Sequence, residues 1–534
     1  MSDKKQSPGL ELELQHMKFI DSVETPAEEY KTPMEAETEV LRPGNDLDAP
    51  RASEAIKGNM TLWLFYAVVV CAVGSSFQLG YNIGVVNAPE NVTRQWFNGS
   101  HERMFNQTMT DDMNRYAWST AVSIFCIGGM FGGLLSGKVA DTFGRRGGMM
   151  VNNIFAFVAA ALMGCSKLVD SYPVFILGRL VIGFNSGLNS GFAPVYLTEV
   201  SPVNLRGTIG SAHQLVVTIS ILVSQILGLS YLLGNALHWP MLFALTAVPA
   251  AFQLVTLPFC PESPKYNLIT KQRNEKAAKD LKKLRKQSDV KYELGVMVDE
   301  YNKIKMVKKV AFWDMFTKPE LRWPLFIAVM MMLSQQFSGI NVAIYYSNNI
   351  FEKAGFVGDN ATYATLAMGA LNVLMTVVSV YLVDHPKFGR RTLHLIGLGG
   401  MIVCSSLLVV MLTLLKNNHQ WASYFCVVFV LAFVVSFATG PGSIPWILPS
   451  EMFGQSARGH ANSIAVAVNW LANFLVGLSF LTIQYYLKQY CFLVFTAMLV
   501  FFWIFTFLFV PETKNKSTEE IVKLFERKDK NRMV

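Results

Sequence analysis

The membrane-facing part of this chain repeats itself. Asp141-Thr142-Phe143-Gly144-Arg145-Arg146 recurs as Asp384…Gly389-Arg390-Arg391. Glu199…Arg206-Gly207 recurs as Glu451…Arg458-Gly459, with the same seven-residue step from acid to base. Pro261-Glu262-Ser263 recurs as Pro511-Glu512-Thr513. The offsets are 245 residues for the glycines, 252 for the acids and 250 for the prolines. Three unlike motifs duplicated at nearly one offset imply two like halves.

The solvent around those halves follows from composition. The chain is 52% hydrophobic and only 16% charged, against about 25% charged in soluble domains, so lipid must surround most of it. Apolar runs lie at roughly 61–86, 115–137, 147–166, 171–198, 208–233, 238–259, 321–351, 361–383, 392–415, 421–448, 460–484 and 489–510, each near or above the ~20 residues that span a bilayer. An all-α membrane protein with twelve spans, six and six, is the expected fold class, although Arg179 interrupts the fourth run. The expected divisions are an acidic tail (1–57), a first six-helix bundle (58–260), a cytoplasmic helical linker (261–320), a second bundle (321–510) and a C-terminal tail (511–534).

Charge orients the spans. Residues 1–57 carry 13 Asp/Glu and 7 Lys/Arg and read as a disordered cytoplasmic tail whose protein partners are unreadable. Sixteen Lys/Arg lie between Lys265 and Arg322, and the other basic clusters thread to the same side, which places linker and both termini in the cytoplasm. The excess is topogenic, and no nucleic-acid partner is implied. The loop at about 87–114 falls outside and holds three glycosylation sequons, at Asn91, Asn98 and Asn106. The seven cysteines show no paired spacing, so neither disulfides nor a metal are expected.

Apart from Arg179, the span interiors hold almost no ionisable residues, whereas an ion path would need them. They hold amides instead: Gln214 and Gln225 in the fifth span, Gln335, Gln336 and Asn341 in the seventh, Asn372 in the eighth and Asn469 in the eleventh, with Trp446 and Trp470 beside them. Amides donate and accept, as a polyol requires, and indoles stack on its C–H faces; any single amide also reads as interhelical glue. Gly440-Pro441-Gly442 and Pro445 break the tenth span, and Gly339 lets the seventh bend. The duplicated acids and arginines at the span ends suggest a latch that biases alternating access. No nucleophile–base pair or metal cluster appears in the spans, so catalysis and a cofactor are not expected.

These residues resemble the sugar porters of the major facilitator superfamily, specifically the facilitative glucose transporters. The resemblance covers about 60–515 and rests on Gly80-Tyr81-Asn82, Gly144-Arg145-Arg146, His213-Gln214-Leu215, Pro261-Glu262-Ser263-Pro264, Gln335-Gln336-Phe337-Ser338-Gly339-Ile340-Asn341, Tyr345-Tyr346, Gly440-Pro441-Gly442, Pro445-Trp446, Asn469-Trp470 and Pro511-Glu512-Thr513-Lys514. It implies the major facilitator fold and a plasma-membrane uniporter of D-glucose and related hexoses. The sugar would meet Gln214, Gln335, Gln336, Asn341, Asn372, Trp446, Asn469 and Trp470. Tyr345 and Tyr346 would gate the outer side, with Gly440, Pro441, Gly442 and Pro445 as the moving break. Asp141, Arg145, Arg146, Glu199, Arg206, Glu262, Asp384, Arg390, Arg391, Glu451 and Arg458 would form the cytoplasmic latch.

Proton-linked relatives carry an Asp where this chain has Asn82, and an Asn cannot titrate, which favours facilitated diffusion. Two features depart from the glucose-type pattern. Ala438 replaces a Glu found in many members, and His385-Pro386-Lys387-Phe388 stretches the second Asp-to-Gly spacing. A fructose-preferring or broad hexose/dehydroascorbate carrier and a non-transporting sugar sensor are the alternatives.

Overall fold

The computed structural model describes residues 58–306, 310–356, 359–385, 387–514, 516 and 520–521; expectations for the tail 1–57 and most of 515–534 fall outside them. Hydrocarbon cannot hydrogen-bond a backbone, so each span must close its own bonds as a helix, and the described residues form helices without strands. The first half contains α1 (Leu62–Gly84), α2 (Glu90–Phe105), α3 (Asp111–Phe143), α4 (Arg145–Cys165), α5 (Tyr172–Val200), α6 (Arg206–Leu227) and α7 (Trp239–Phe259). The linker contributes α8 (Asn274–Arg285) and α9 (Lys291–Met306). The second half contains α10 (Pro319–Phe337), α11 (Ile340–Lys353), α12 (Asp359–Asp384), α13 (Arg390–Lys416), α14 (Ala422–Thr439), α15 (Ile444–Met452), α16 (Gln455–Leu487) and α17 (Cys491–Phe509). The seventh span is α10 with α11, and the tenth is α14 with α15.

Ten runs are long and apolar enough to cross a membrane. One of them, Ser456–Phe509, contains both α16 and α17. The remaining crossing is α5, whose Arg179, Asn185, Asn189 and Glu199 dilute its apolar character. With those two helices the count is twelve. Arg179 does not interrupt α5. Its guanidinium is fully buried, donates to the carbonyls of Ala121 (3.3 Å) and Asn82 (3.1 Å) and lies 4.8 Å from the Phe125 ring. Beyond the sequence expectation, the 87–114 loop holds the amphipathic helix α2, which seats Phe97 against Trp118 and Phe175 and Trp96 against Trp239.

The two halves meet on one face and part on the other. On the α2 face a single hydrophobic cluster joins Leu79, Phe125 and Trp239 of the first half to Tyr345, Trp470 and Phe480 of the second. On the linker face the two halves keep separate clusters, one of first-half residues with Leu284 of the linker and one of second-half residues with Met315, beside a small cluster within the linker itself. Polar contacts close the α2 face: Asn87 donates to Ser347, the Asn348 N–H donates to Asn87 (3.2 Å), and Ser230 donates to Asp359 (2.5 Å). Arg115 lies 4.0 Å from the Tyr485 ring.

The duplicated motifs tie helix ends together within each half. α4 and α13 both begin at Gly-Arg-Arg and leave N–H groups without helical partners. The Glu262 carboxylate accepts from Arg145 N (3.1 Å) and Arg146 N (3.1 and 3.2 Å). Glu512 accepts from Arg390 N (2.7 Å) and Arg391 N (3.2 Å). Both glycines make room: Gly144 has φ +87°, and a Cβ there would sit 2.5 Å from Glu262. A Cβ on Gly389 would overlap Glu512 outright. Arg145 grips Glu199 in a bidentate pair (2.9 and 3.0 Å), and Arg390 reaches Glu451 at 3.3 Å. Arg146 donates to the carbonyls of Pro258 (3.1 Å) and Cys260 (3.0 Å), and Arg391 to that of Phe507. The stretched second copy keeps this geometry because Lys514 gathers the carbonyls of Val383 (3.3 Å), His385 and Phe388 (2.8 Å).

The motif charges thus join helix ends within each half. Asp141 adds an exposed pair to Arg145 (3.2 Å). Arg206 and Arg458 stand apart from the clamps: Arg458 donates to the Phe453 carbonyl (3.3 and 3.2 Å), and Arg206 makes no ion pair among the described residues. The Asp384 side chain lies outside the described residues. Removing a charged cap that satisfies two backbone donors costs about 1–3 kcal/mol. Glu512→Ala should therefore lower the unfolding temperature of the detergent-solubilised chain, while the exposed Glu275→Ala should shift stability by less than about 0.5 kcal/mol. Equal unfolding temperatures for the two variants would refute the clamp.

Candidate functional site

The seventh span breaks at Gly339. Its φ of +88° suits glycine, and a Cβ there would come 2.9 Å from Phe495. The break turns the last turn of α10, with Gln335 and Gln336, toward the first turn of α11, with Asn341. Asn469 of α16 completes a cluster. Asn469 Nδ2 donates to Gln335 Oε1 (2.8 Å), Gln336 Nε2 to Asn469 Oδ1 (2.9 Å), and Asn341 Nδ2 to Gln336 Oε1. Gln335 Nε2 donates onward to the carbonyls of Pro441 and Gly442, both at 2.9 Å. Four of the eight expected sugar contacts are thus joined to one another and to the break of the tenth span. The cluster is neutral and offers donors and acceptors together, the complement of a polyhydroxyl solute.

The other four stand on separate helices. Gln214 is exposed on α6, and Asn372 is half-buried on α12 with no side-chain bond to the described residues. Trp446, in the first turn of α15, is 44% exposed. Trp470 is buried and lies against the first half, with its ring edge-on to Phe125 (5.9 Å) and over Gly129. The sequence reading did not single out Met332, whose sulfur lies 3.5 Å from Asn469 Nδ2, or Asn473, the partner of Tyr345. An apolar Met and an unexceptional Asn carry no signal until the helices are assembled.

Tyr345 and Tyr346 are buried between this cluster and the α2 face. Tyr345 donates to Asn473 (3.3 Å) and lies 3.9 Å from Cys126 of the opposite half. Tyr346 donates to the Gly477 carbonyl (3.1 Å) and departs from helical geometry at φ −129°, ψ 19°. In the tenth span, α14 stops before Gly440 (φ −149°), and Pro445 occupies a first-turn position of α15 where its missing N–H costs nothing.

Asn82 donates to the Gln78 carbonyl and to Thr246, both at 2.8 Å, and its carbonyl accepts from Arg179. No carboxylate appears among these partners. The three sequon asparagines are exposed on the α2 face. Asn91 donates to Glu352 (3.0 Å), Asn98 accepts from Asn114 (2.6 Å), and Asn106 caps α2 in the left-handed region at φ 52°.

The family model for sugar (and other) transporters matches residues 67–525. Facilitated glucose transporter protein 1 of Caenorhabditis elegans is 53% identical over 88% of this chain and 92% of its own length. The sheep solute carrier family 2, facilitated glucose transporter member 3, is 44% identical over 88% and 93%. Among solved structures, the inward-open xylose transporter XylE of E. coli superposes with a TM-score of 0.71 at 25% identity, covering 86% of this chain and 100% of that one. A partially occluded inward-open form of XylE gives 0.69 at 26% identity, with the same coverage. On this combination of family match, identity and fold, the chain belongs to the sugar transporter family of the major facilitator superfamily, among the facilitated glucose transporters.

Proposed function

We propose that this chain carries D-glucose and related hexoses across the plasma membrane by facilitated diffusion, as a uniporter and not an enzyme. The carrying observation is the neutral amide cluster of Gln335, Gln336, Asn341 and Asn469, set at the break of the seventh span and bonded to the break of the tenth. In repeat-built transporters the substrate site lies between the repeats near the bilayer midplane. Sugar hydroxyls would replace the bonds that these amides now make with one another. Gln214 and Asn372 would complete the polar shell, Trp446 would cover the ring, and Trp470 would stand behind it. The α2 face would be extracellular, with glycans on Asn91, Asn98 and Asn106; the linker face and both termini would be cytoplasmic.

The relatives' names support glucose as substrate. Asn82 supports uniport, because no titratable group stands where a proton would load. Ala438 is buried in α14, two residues before Gly440; with Trp446 retained, the reading assigns glucose over fructose.

In proteoliposomes, D-glucose uptake should be stereospecific against L-glucose, stop at equilibrium and ignore an imposed pH gradient, with D-fructose competing weakly. Accumulation above equilibrium would sink the uniport reading, and strong fructose competition would sink the glucose preference. Gln335→Leu removes a donor and an acceptor and takes from Asn469 Nδ2 its amide acceptor, a loss of about 1–3 kcal/mol. It should raise the glucose KM about tenfold or more; an unchanged KM in folded protein would refute the site. Replacing Asn91, Asn98 and Asn106 together by Gln should abolish the mobility shift that deglycosylation produces, and a remaining shift would place a glycan elsewhere.

A further inference from the structure

On α6, Gln214 and Gln225 are eleven residues apart. At 100° per residue they share one helix face, separated by about 16 Å along the axis. Gln214 is exposed, whereas Gln225 is only 1% exposed. The stripe that begins at the candidate site therefore continues into the closed seam between the halves. There Gln225 meets α12: a Cβ at Gly369 would overlap Gln225 Oε1, so a glycine is what lets the amide fit. Gly369 is three residues from Asn372, on nearly the same face of α12. The seam extends to Ser230 and Asp359 at the α2 face.

An amide acting as interhelical glue would be bonded. Neither Oε1 nor Nε2 of Gln225 has a hydrogen-bond partner in the closed seam. Burying an unsatisfied polar group is costly, and an apolar residue of similar size would escape that cost. The position therefore makes sense if the amide is used in another state. Alternating access requires that the α2 face open, and opening must part α6 from α12 because they are joined across the halves. Gln225 would then line the path from the α2 face down to Gln214 and Asn372.

We propose that Gln225 is a hexose-contacting residue of the outer vestibule, hydrogen-bonded to sugar hydroxyls when α6 and α12 part and sheltered unbonded when they close. The proposal rests on the hexose-uniporter reading above and adds a subsite that the central cluster does not contain. The same amide, costly to bury, would also favour the open outer face.

Both effects act from one side. In proteoliposomes of known orientation, Gln225→Leu should raise the KM for D-glucose presented to the α2 face about tenfold, the size of one lost hydrogen-bonding group. The KM from the linker face should stay within about threefold. Gln225→Cys, in full-length chain with the exposed Cys165 replaced by Ser, should react with a membrane-impermeant maleimide from the α2 face, and D-glucose but not L-glucose should protect it. An unchanged KM from the α2 face, an equal rise from both faces, or a cysteine that is unreactive or unprotected would overturn the proposal. Unmutated protein is measured in the same vesicles. Absence of any hexose flux there would overturn the transport reading itself, whereas normal flux with an indifferent Gln225→Leu overturns only the subsite.

Discussion

A polar side chain inside a bilayer must find its partner in the protein, because lipid has none to offer. That constraint separates two kinds of amide in this fold. In the first half, Gln78 donates to Asn153, Asn153 to Gln253, and Gln253 to Ser75. Asn152 is joined to Asn189 and to the Asn185 carbonyl. This network knits α1, α4, α5 and α7 together, so it fixes the half as one body. In the second half, the amides lie on either side of a helix break and bond to carbonyls of another break. The first arrangement holds helices together; the second joins two segments that end where the backbone is already interrupted.

The charged motifs obey the same constraint at the helix ends. Glu262 and Glu512 each lie across the first turn of a helix, and Arg145 and Arg390 each pull in the acid of a third segment. Two such clamps make two stiff halves. What is left to move is the seam between them, and among the described residues its α2 end is sealed without an ion pair between the halves, by contacts such as Asn87 with Ser347 and Tyr345 beside Cys126. Neutral bonds of about 1 kcal/mol each open more readily than a buried ion pair would.

Much of this was legible in the sequence. The spans stood out because hydrocarbon demands about 20 apolar residues, and the breaks because Gly339 and Gly440-Pro441-Gly442 are rare inside a helix. The duplicated motifs were legible as motifs, but spacing along the chain does not say whether Arg145 meets an acid of its own half or of the other. The helix α2 was invisible because its apolar face is short and its register matters only against Trp118 and Trp239. Asn152, Asn153 and Gln253 look no different in sequence from Gln335 and Gln336; only the helices opposite decide which amides are consumed as glue. Gln225 was visible as a polar residue, but its unbonded state depends on Gly369, more than a hundred residues away.

In the hexose site proposed above, the bond from Gln335 to Pro441 and Gly442 would have a mechanical consequence. A hydroxyl that accepts from Gln335 Nε2 competes with the two carbonyls that hold the tenth-span break in its present position. Filling the proposed site and loosening the break would then be one exchange, not two events linked over a distance. The exchange trades neutral hydrogen bonds for neutral hydrogen bonds, so its net free energy is small even though several groups move. A carrier with no energy source needs that balance, because a site that gripped sugar much more tightly than it grips itself would stall with the sugar bound.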